Sequence, residues 1–397
     1  MAIGVKDNTS YAVEIESTEG TYVAPQSSNS FVQVLKDGAE MTRSQEQLAR
    51  DVFTGSIGKT QSRLGTKSVS GAMPVELRSG EAEGSAPEAD KLYTSGLGSK
   101  KTRASVTTGV GNTATVLQID DADISGFSVY DVVLVKEAGA YQMSWVSAVD
   151  TTLGAANITL GQALDAAPAD NVEIAATTQY STADSGHPSL SISKYIEQSK
   201  DETAAGCKVT SMSLDNFQTG SIPSINFGFE GLSFDSSLTA PPFSPDYDDT
   251  LPPIALRACV FQDGNKIAVN SLNFSLSNTL GFVTSTCSEN GRISSRVTAR
   301  EISGSFTPYK SDDELVQFNK FKCNEKYNLF AYAFNPTLDA NCDYTGEFTN
   351  GVAILFTNCV TLELGETDQD GLLQEEVSFE ATRGPSGTDE EMKIAFF

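Results

Sequence analysis

The residues in this chain that could do chemistry are few and poorly grouped. Gly55-Ser-Ile-Gly58-Lys59-Thr60 has the ending of a phosphate-binding loop, in which backbone amides at a helix N-terminus and a lysine hold phosphate oxygens. That motif needs a glycine five residues before Gly58, and Phe53 stands there. The residues that follow, Gln61 to Gly71, read as loop and strand, not helix. The single histidine, His187, sits in Ser185-Gly-His-Pro188, without a second histidine to share a metal. Three acidic clusters, Asp120-Asp121-Ala-Asp123, Asp246-Tyr-Asp248-Asp249 and Asp368-Gln-Asp370-Gly371, lack the full ligand spacing of a calcium loop and read as solvated turns. The six cysteines form no C-x-x-C pair, so free thiols are expected, and the spacing leaves open whether Cys323 meets Cys342. No Gly-x-Ser-x-Gly elbow occurs, and no cysteine has a histidine base. The expectation is therefore no enzyme, no cofactor and no metal.

The elements that would have to position such groups are more informative than the groups. Gly58-Lys-Thr-Gln-Ser62-Arg63, running on to Val69-Ser70-Gly71, returns as Gly291-Arg-Ile-Ser-Ser295-Arg296, running on to Ile302-Ser303-Gly304. The offset is constant, since 291 − 58, 296 − 63 and 304 − 71 all give 233. Both copies continue through a proline (Pro74, Pro308) into a patch of helical character, Pro87–Tyr93 and Asp312–Phe321. Farther on, Cys207-Lys-Val-Thr resembles Cys359-Val-Thr, and Phe229-Glu230 resembles Phe379-Glu380 at an offset of 150 (379 − 229). The fall of 83 (233 − 150) predicts about that many extra residues in the first copy, the sign of an internal duplication with an insertion.

Residues 104–180 supply the surplus. They are poor in Lys and Arg and offer closely spaced short strands, such as Asp131-Val-Val-Leu-Val135 and Asn157-Ile-Thr-Leu160, separated by turn residues. The rest is dominated by alternating runs such as Ala268-Val-Asn-Ser-Leu-Asn-Phe-Ser-Leu276. The proline-rich segment Ala240–Pro253 reads as a stiff, extended linker. The expected fold is mainly β. A first unit comprises 1–103 and 181–245, a small β module is inserted at 104–180, and a second unit spans 246–397. Each unit is a sandwich or barrel with a short flanking helix. Polar stretches at about 44–67 and 277–300 are expected to be long loops.

The chain of 397 residues carries 27 Lys and Arg against 52 Asp and Glu, a formal charge of −25. Such acidity argues against binding a phosphate backbone and against an anionic membrane surface. Residues 1–30 show neither the basic start nor the apolar run of a secretion signal, so production in a cytoplasm is expected.

The opening Glu14-Ile-Glu-Ser-Thr-Glu-Gly20-Thr-Tyr-Val-Ala-Pro25 resembles the amino-terminal arm of tail tube (major tail) proteins of long, non-contractile-tailed bacteriophages. Gly206-Cys207-Lys-Val-Thr-Ser-Met-Ser-Leu214, followed by Ile225-Asn-Phe-Gly-Phe229-Glu-Gly231, is similar to a strand pair of that family. So is Leu251-Pro-Pro-Ile-Ala-Leu leading into a second half. The resemblance spans most of the chain outside the 104–180 insert. It implies two packed antiparallel sheets whose subunits join edge to edge into rings. The rings stack into a hollow tube in the virion that DNA transits without specific binding. It also implies tape-measure, tail-terminator and tail-tip proteins as partners, with assembly in the host bacterial cytoplasm.

Two tube units per chain would let three chains close a pseudo-sixfold ring; a homohexamer is the alternative. The twin polar stretches then become contacts between rings, through Arg50, Phe53 and Arg63 in one copy and Phe282, Arg292 and Arg296 in the other. Strand alternation marks Asp215, Glu363 and Glu380 as acids facing the bore, and the insert is expected outside. Competing readings are a decoration or tail-tip protein, which shares the composition, and a β-sandwich surface-binding module. The latter predicts a secretion signal and an aromatic platform, whereas the chain has one tryptophan, Trp145.

Overall fold

Where apolar and small polar residues alternate, as in Leu272-Asn-Phe-Ser-Leu-Ser277, an extended chain turns one face to a core and the other outward. The computed structural model describes residues 7–255, 258–310, 315–341, 343–384 and 390–397. It is mainly β, with two α-helices.

The chain opens with β1 (Thr9–Ile15), β2 (Phe31–Val32), β3 (Glu40–Leu48), β4 (Arg63–Glu76), the helix α1 (Asp90–Leu97) and β5 (Gly98–Arg103). Short strands follow: β6 (Val106–Thr107), β7 (Val116–Gln118), β8 (Val132–Glu137), β9 (Ala140–Asp150), β10 (Asn157–Leu160) and β11 (Glu173–Ile174). Next come β12 (Thr177–Thr182), β13 (Leu190–Ile196), β14 (Lys200–Asp215), β15 (Ser224–Gly231) and β16 (Ser233–Ser237). The remainder holds β17 (Cys259–Gln262), β18 (Asn265–Ile267), β19 (Val269–Thr284), β20 (Arg292–Pro308), the helix α2 (Leu315–Cys323), β21 (Tyr327–Leu338), β22 (Tyr344–Gln369), β23 (Leu372–Ala381) and β24 (Met392–Phe396).

The pairings run in the order β3–β4–β15–β14 and, again, β19–β20–β23–β22. The two sets match pair for pair. Met41 faces Gly71 as Phe274 faces Gly304, and Gly71 faces Phe229 as Gly304 faces Phe379. Even the irregularities coincide: β14 bulges between Val209 and Ser211, and β22 between Thr361 and Glu363. Along this pair of strands 359 − 207 and 366 − 214 both give 152.

The second layers correspond too, with β1 on β13 on β14 matched by β17 on β21 on β22. α1 follows β4 and α2 follows β20. α1 ends where Gly98 takes a positive φ (93°), and it buries Leu92, Tyr93 and Leu97. The start of the second helical patch, Asp312 to Glu314, lies outside the described residues.

The sets are joined inside the chain. β14 pairs with β19 through Ser211↔Ser277, Met212↔Leu276, Ser213↔Ser275 and Leu214↔Phe274, giving one ribbon of eight strands. One apolar core runs beneath it, from Met73, Met212 and Phe227 to Phe274, Phe306, Phe356 and Phe379.

Residues 106–174 build a separate six-stranded sheet, β6–β11–β8–β9–β10–β7, with its own core around Leu117, Val133, Val146 and Ile158. Its entry and exit are adjacent because β5 pairs with β12, from Thr177↔Arg103 to Thr182↔Gly98. β12 also pairs with the carboxy-terminal β24, so residues 177–182 continue the main sheet. The small sheet packs on the second set: Val132, Leu134, Met143 and Trp145 share a cluster with Phe330, Phe348, Leu355 and Phe397. The buried Asp131 fixes this contact, bonding Lys393 at 3.0 Å and Lys101 at 2.6 Å.

Two expectations change. The polar stretch near 277–300 is mostly strand, its loop shrinking to 285–291, whereas the stretch near 44–67 keeps a long loop at 49–62 between two strand ends. Their polar residues on both faces mimic loop composition, but these hairpin arms extend past the core. The proline-rich linker is irregular, yet tied down: Arg78 donates to the carbonyls of Asp248 (2.9 Å) and Thr250 (3.3 Å), and Glu88 accepts the Asp248 amide at 2.7 Å.

Candidate functional site: a polar sheet face and two free sheet edges

The ribbon has one face in the core and one outside. Leu272, Phe274 and Leu276 are buried, and the intervening Asn273, Ser275 and Ser277 are exposed. Following the register across the ribbon gives the outer positions of each strand. They are Glu40, Thr42 and Ser44 on β3, Ser70, Ala72, Pro74 and Glu76 on β4, and Ser224, Asn226, Gly228 and Glu230 on β15. Ser211, Ser213 and Asp215 of β14 continue the row onto β19, and Glu301, Ser303 and Ser305 onto β20. Glu376, Ser378 and Glu380 of β23 and Glu363 and Gly365 of β22 complete it. Within these spans the face is Ser, Thr, Asn, Gly, Ala, Pro, Asp and Glu; at its margins Lys208 pairs with Glu230 and Leu362 is exposed at the β22 bulge. It is hydroxyl-rich and predominantly acidic, and Lys208 is engaged by Glu19 and the Ser295 carbonyl, so a polyanion finds hydration and little free cation to hold it.

The expected bore acids Asp215, Glu363 and Glu380 all lie on this face. Ser213, two residues from Asp215, pairs with Ser275; Ser275 pairs with Ser303, and Ser303 with Glu380. Glu363 pairs with Ser378. Burial raises the Asp215 carboxyl above the ordinary range. Sequence reading missed Glu40, Glu76, Glu230, Glu301 and Glu376; counting alternation from the repeated glycines would have found them.

The expected ring-contact residues separate into two groups. Arg50 and Phe53 are exposed in the 49–62 loop, Phe53 fully so, beside the equally exposed Ile57. Arg63 opposite Leu48 and Arg296 opposite Gly281 are exposed, but on strands, beyond a bulge in each hairpin arm. Phe282 and Arg292 are occupied within the chain. The Arg292 guanidinium lies 3.9 Å from the Phe282 ring centroid and 3.3 Å from Glu230, while Lys208 donates to the Ser295 carbonyl at 2.5 Å. These contacts lay the β19–β20 arm across the first set.

Two edges of the ribbon take no strand among the described residues. β3 pairs only with β4, and residues 361–369 of β22 pair on one side only, with β23. An exposed edge of this length invites another strand.

The groups that looked chemical are structural. Both ring nitrogens of His187 face carbonyls, Nδ1 that of Ser95 at 2.8 Å and Nε2 that of Ala183 at 2.9 Å, fastening a turn to α1. Gly55 to Thr60 lies in the exposed loop with no helix after it. The five described cysteines are free thiols, and Cys342 lies outside the described residues. No group of metal-ligating side chains occurs among the described residues, and none of their helices is long and apolar enough to cross a membrane.

No curated protein matches the sequence. Residues 7–381 match the phage tail tube protein family. The chain, with its repeated strand grammar and its polar, acidic outer face, therefore belongs to the phage tail tube protein family, a structural component of phage tails.

Proposed function

We propose that this chain self-assembles into stacked rings whose shared bore is the polar face of the ribbon, and that DNA passes along it during delivery. The observation that carries this reading is the eight-strand ribbon with a hydroxyl-rich, predominantly acidic outer face. The pair-for-pair match of its halves supports a tandem duplication, each half a tube unit, with the sheet of residues 106–174, inside the expected 104–180 insert, as a module inserted in the first. Two units per chain make three chains sufficient for a ring of 24 strands (3 × 8). At about 4.8 Å between strands and a tilt of about 40°, such a barrel is about 48 Å across its backbone. That leaves a duplex ample room once side chains line the wall.

The role is structural and not catalytic. The exposed Phe53, Ile57 and Arg50 of the 49–62 loop, with Arg63 and Arg296 on the hairpin arms, are the surfaces offered to the next ring. Tape-measure, tail-terminator and tail-tip proteins are the further partners of such a tube. Negative-stain microscopy of the purified chain over a range of concentrations tests the proposal. Rings or tubes with an open centre are expected, and a monomer at every concentration would overturn it.

A further inference from the structure

Resting on the reading of the chain as a ring subunit, we infer that the free edge of β22 receives β3 of a second copy, in a register that the chain already displays internally. The internal joint is the template. β14 accepts β19 through Ser211↔Ser277, Met212↔Leu276, Ser213↔Ser275 and Leu214↔Phe274. β22 repeats β14 at an offset of 152 (363 − 211), bulge included, and β3 repeats β19 at an offset of 233 (277 − 44). Transferring the template gives Glu363 facing Ser44 of the second copy, Leu364 facing Arg43, Gly365 facing Thr42 and Glu366 facing Met41. Both strands lack a strand partner on the relevant side among the described residues, so no backbone pairing in the chain must be displaced.

Two side chains fit the transfer. At the internal joint the buried Asn278 amide donates to the carbonyls of Gly96 (2.8 Å) and Val209 (3.3 Å). Its counterpart on β3 is Gln45 (278 − 233), which keeps the amide on a longer stem and makes only a 3.4 Å contact within the chain. The counterpart of Val209 is Thr361 (209 + 152), whose carbonyl becomes the acceptor. The second feature is charge. Leu214 and Leu276, diagonal neighbours at the internal joint, become Glu366 and Arg43, which within the chain pair with Lys310 (2.5 Å) and Glu202 (2.9 Å), so that assembly brings two ion pairs into one network. The joint inside the chain is apolar and the joint between chains is polar, so an unassembled chain keeps a soluble edge.

The test is disulfide trapping in a background with the exposed Cys287 and Cys323 changed to Ser. Gly365→Cys with Thr42→Cys, and separately Glu363→Cys with Ser44→Cys, put thiols on directly facing positions, whose Cα atoms lie within bonding reach. Gly365→Cys with Ser44→Cys is the out-of-register control, displaced by about 7 Å along the strand. Circular dichroism confirms the fold of each variant before assembly. The expected result is oxidation of both matched pairs to a ladder that ends at three chains, with the control and the single-cysteine variants uncrosslinked. Gln45→Ala should raise the concentration at which rings form by about ten-fold, because a ring of three loses one buried hydrogen bond at each joint and the midpoint follows the square root of the assembly constant. Rings that assemble without crosslinking at the matched positions, or with equal crosslinking of the control, overturn the register while leaving the ring intact. A ladder extending past three chains overturns closure by three. Absence of any ring overturns the functional reading itself.

Discussion

Gly304 offers the sharpest test of the repeated architecture, because it and Gly71 sit under equivalent rings. A Cβ added at Gly304 would meet the Asn273 carbonyl oxygen at 2.5 Å and Phe379 Cζ at 2.7 Å. At Gly71 the same two obstacles are the Glu40 carbonyl and the Phe229 ring. Ordinary carbon contacts begin near 3.4 Å, so Gly304→Ala requires displacements of 0.9 Å (3.4 − 2.5) and 0.7 Å (3.4 − 2.7). Neither obstacle yields easily. The carbonyl belongs to a bonded ladder, and the buried Phe379 ring is wedged between Phe356 and Phe306, at 5.3 and 6.1 Å between centroids.

Overpacking of this kind costs about 1–3 kcal/mol, and two rigid obstacles put it at the upper end. At about 2.1 cal/mol/K per residue, 3 kcal/mol lowers the melting temperature of 397 residues by roughly 4 °C. Urea denaturation followed by far-UV circular dichroism measures the loss, with Ser303→Ala on the outer face as a control expected within about 0.5 kcal/mol. Phe379→Leu should relieve part of the clash, so the double mutant should lose less than the sum of the singles by about 0.5–1.5 kcal/mol. A Gly304→Ala variant as stable as the parent, or fully additive with Phe379→Leu, would refute the argument that the glycine exists to admit the ring.

Two further predictions concern charge. Asp131→Ala leaves Lys393 buried without its 3.0 Å partner and should cost about 3–5 kcal/mol. Because Trp145 lies in the cluster shared by the small sheet and the second set, its fluorescence should report the loosening; unchanged emission and midpoint would sink that account. Burial, aided by the neighbouring charge of Glu202, pushes the Asp201 carboxyl up to about 6, and its Oδ1 has no hydrogen-bond partner. A carboxyl raised on folding binds its proton more tightly in the native state, so stability should fall as pH rises from about 4 to about 6 and stay lower above that. Asp201→Asn should remove that decline and be the more stable protein at pH 7; a parallel pH profile would count against it.

Much of this architecture was legible in the residues. The constant offset of 233 follows from side chains whose roles repeat: glycines that admit rings, serines on the outer face and β-branched residues on the inner. The fall in offset pointed to extra chain between the matching strands, where the separate sheet of residues 106–174 stands, because strand pairing tolerates no net drift in register. Other features lay beyond single-strand reading. Arg292-Ile-Ser-Ser-Arg296 is polar on both sides and looks like loop, yet pairing with β19 makes it strand. β5 and β12 are too short and polar to announce that they carry the small sheet, and only their mutual register reveals it. The use of Phe282 and Arg292 within the chain depends on Glu230, more than sixty positions earlier, a contact no local pattern encodes. The acids of the outer face were partly visible because alternation gives the face, whereas which face is outward depends on the core beneath.

The small sheet enters the chain once, between β5 and β12 of the first set, and packs on the second. In a closed trio the passage would therefore look nearly sixfold to whatever slides through it, while the exterior would be studded once per chain. A cargo moving inside would meet no angular stops. A protein gripping the outside would find a threefold pattern of ridges, and so could sense how each layer is rotated on the one below.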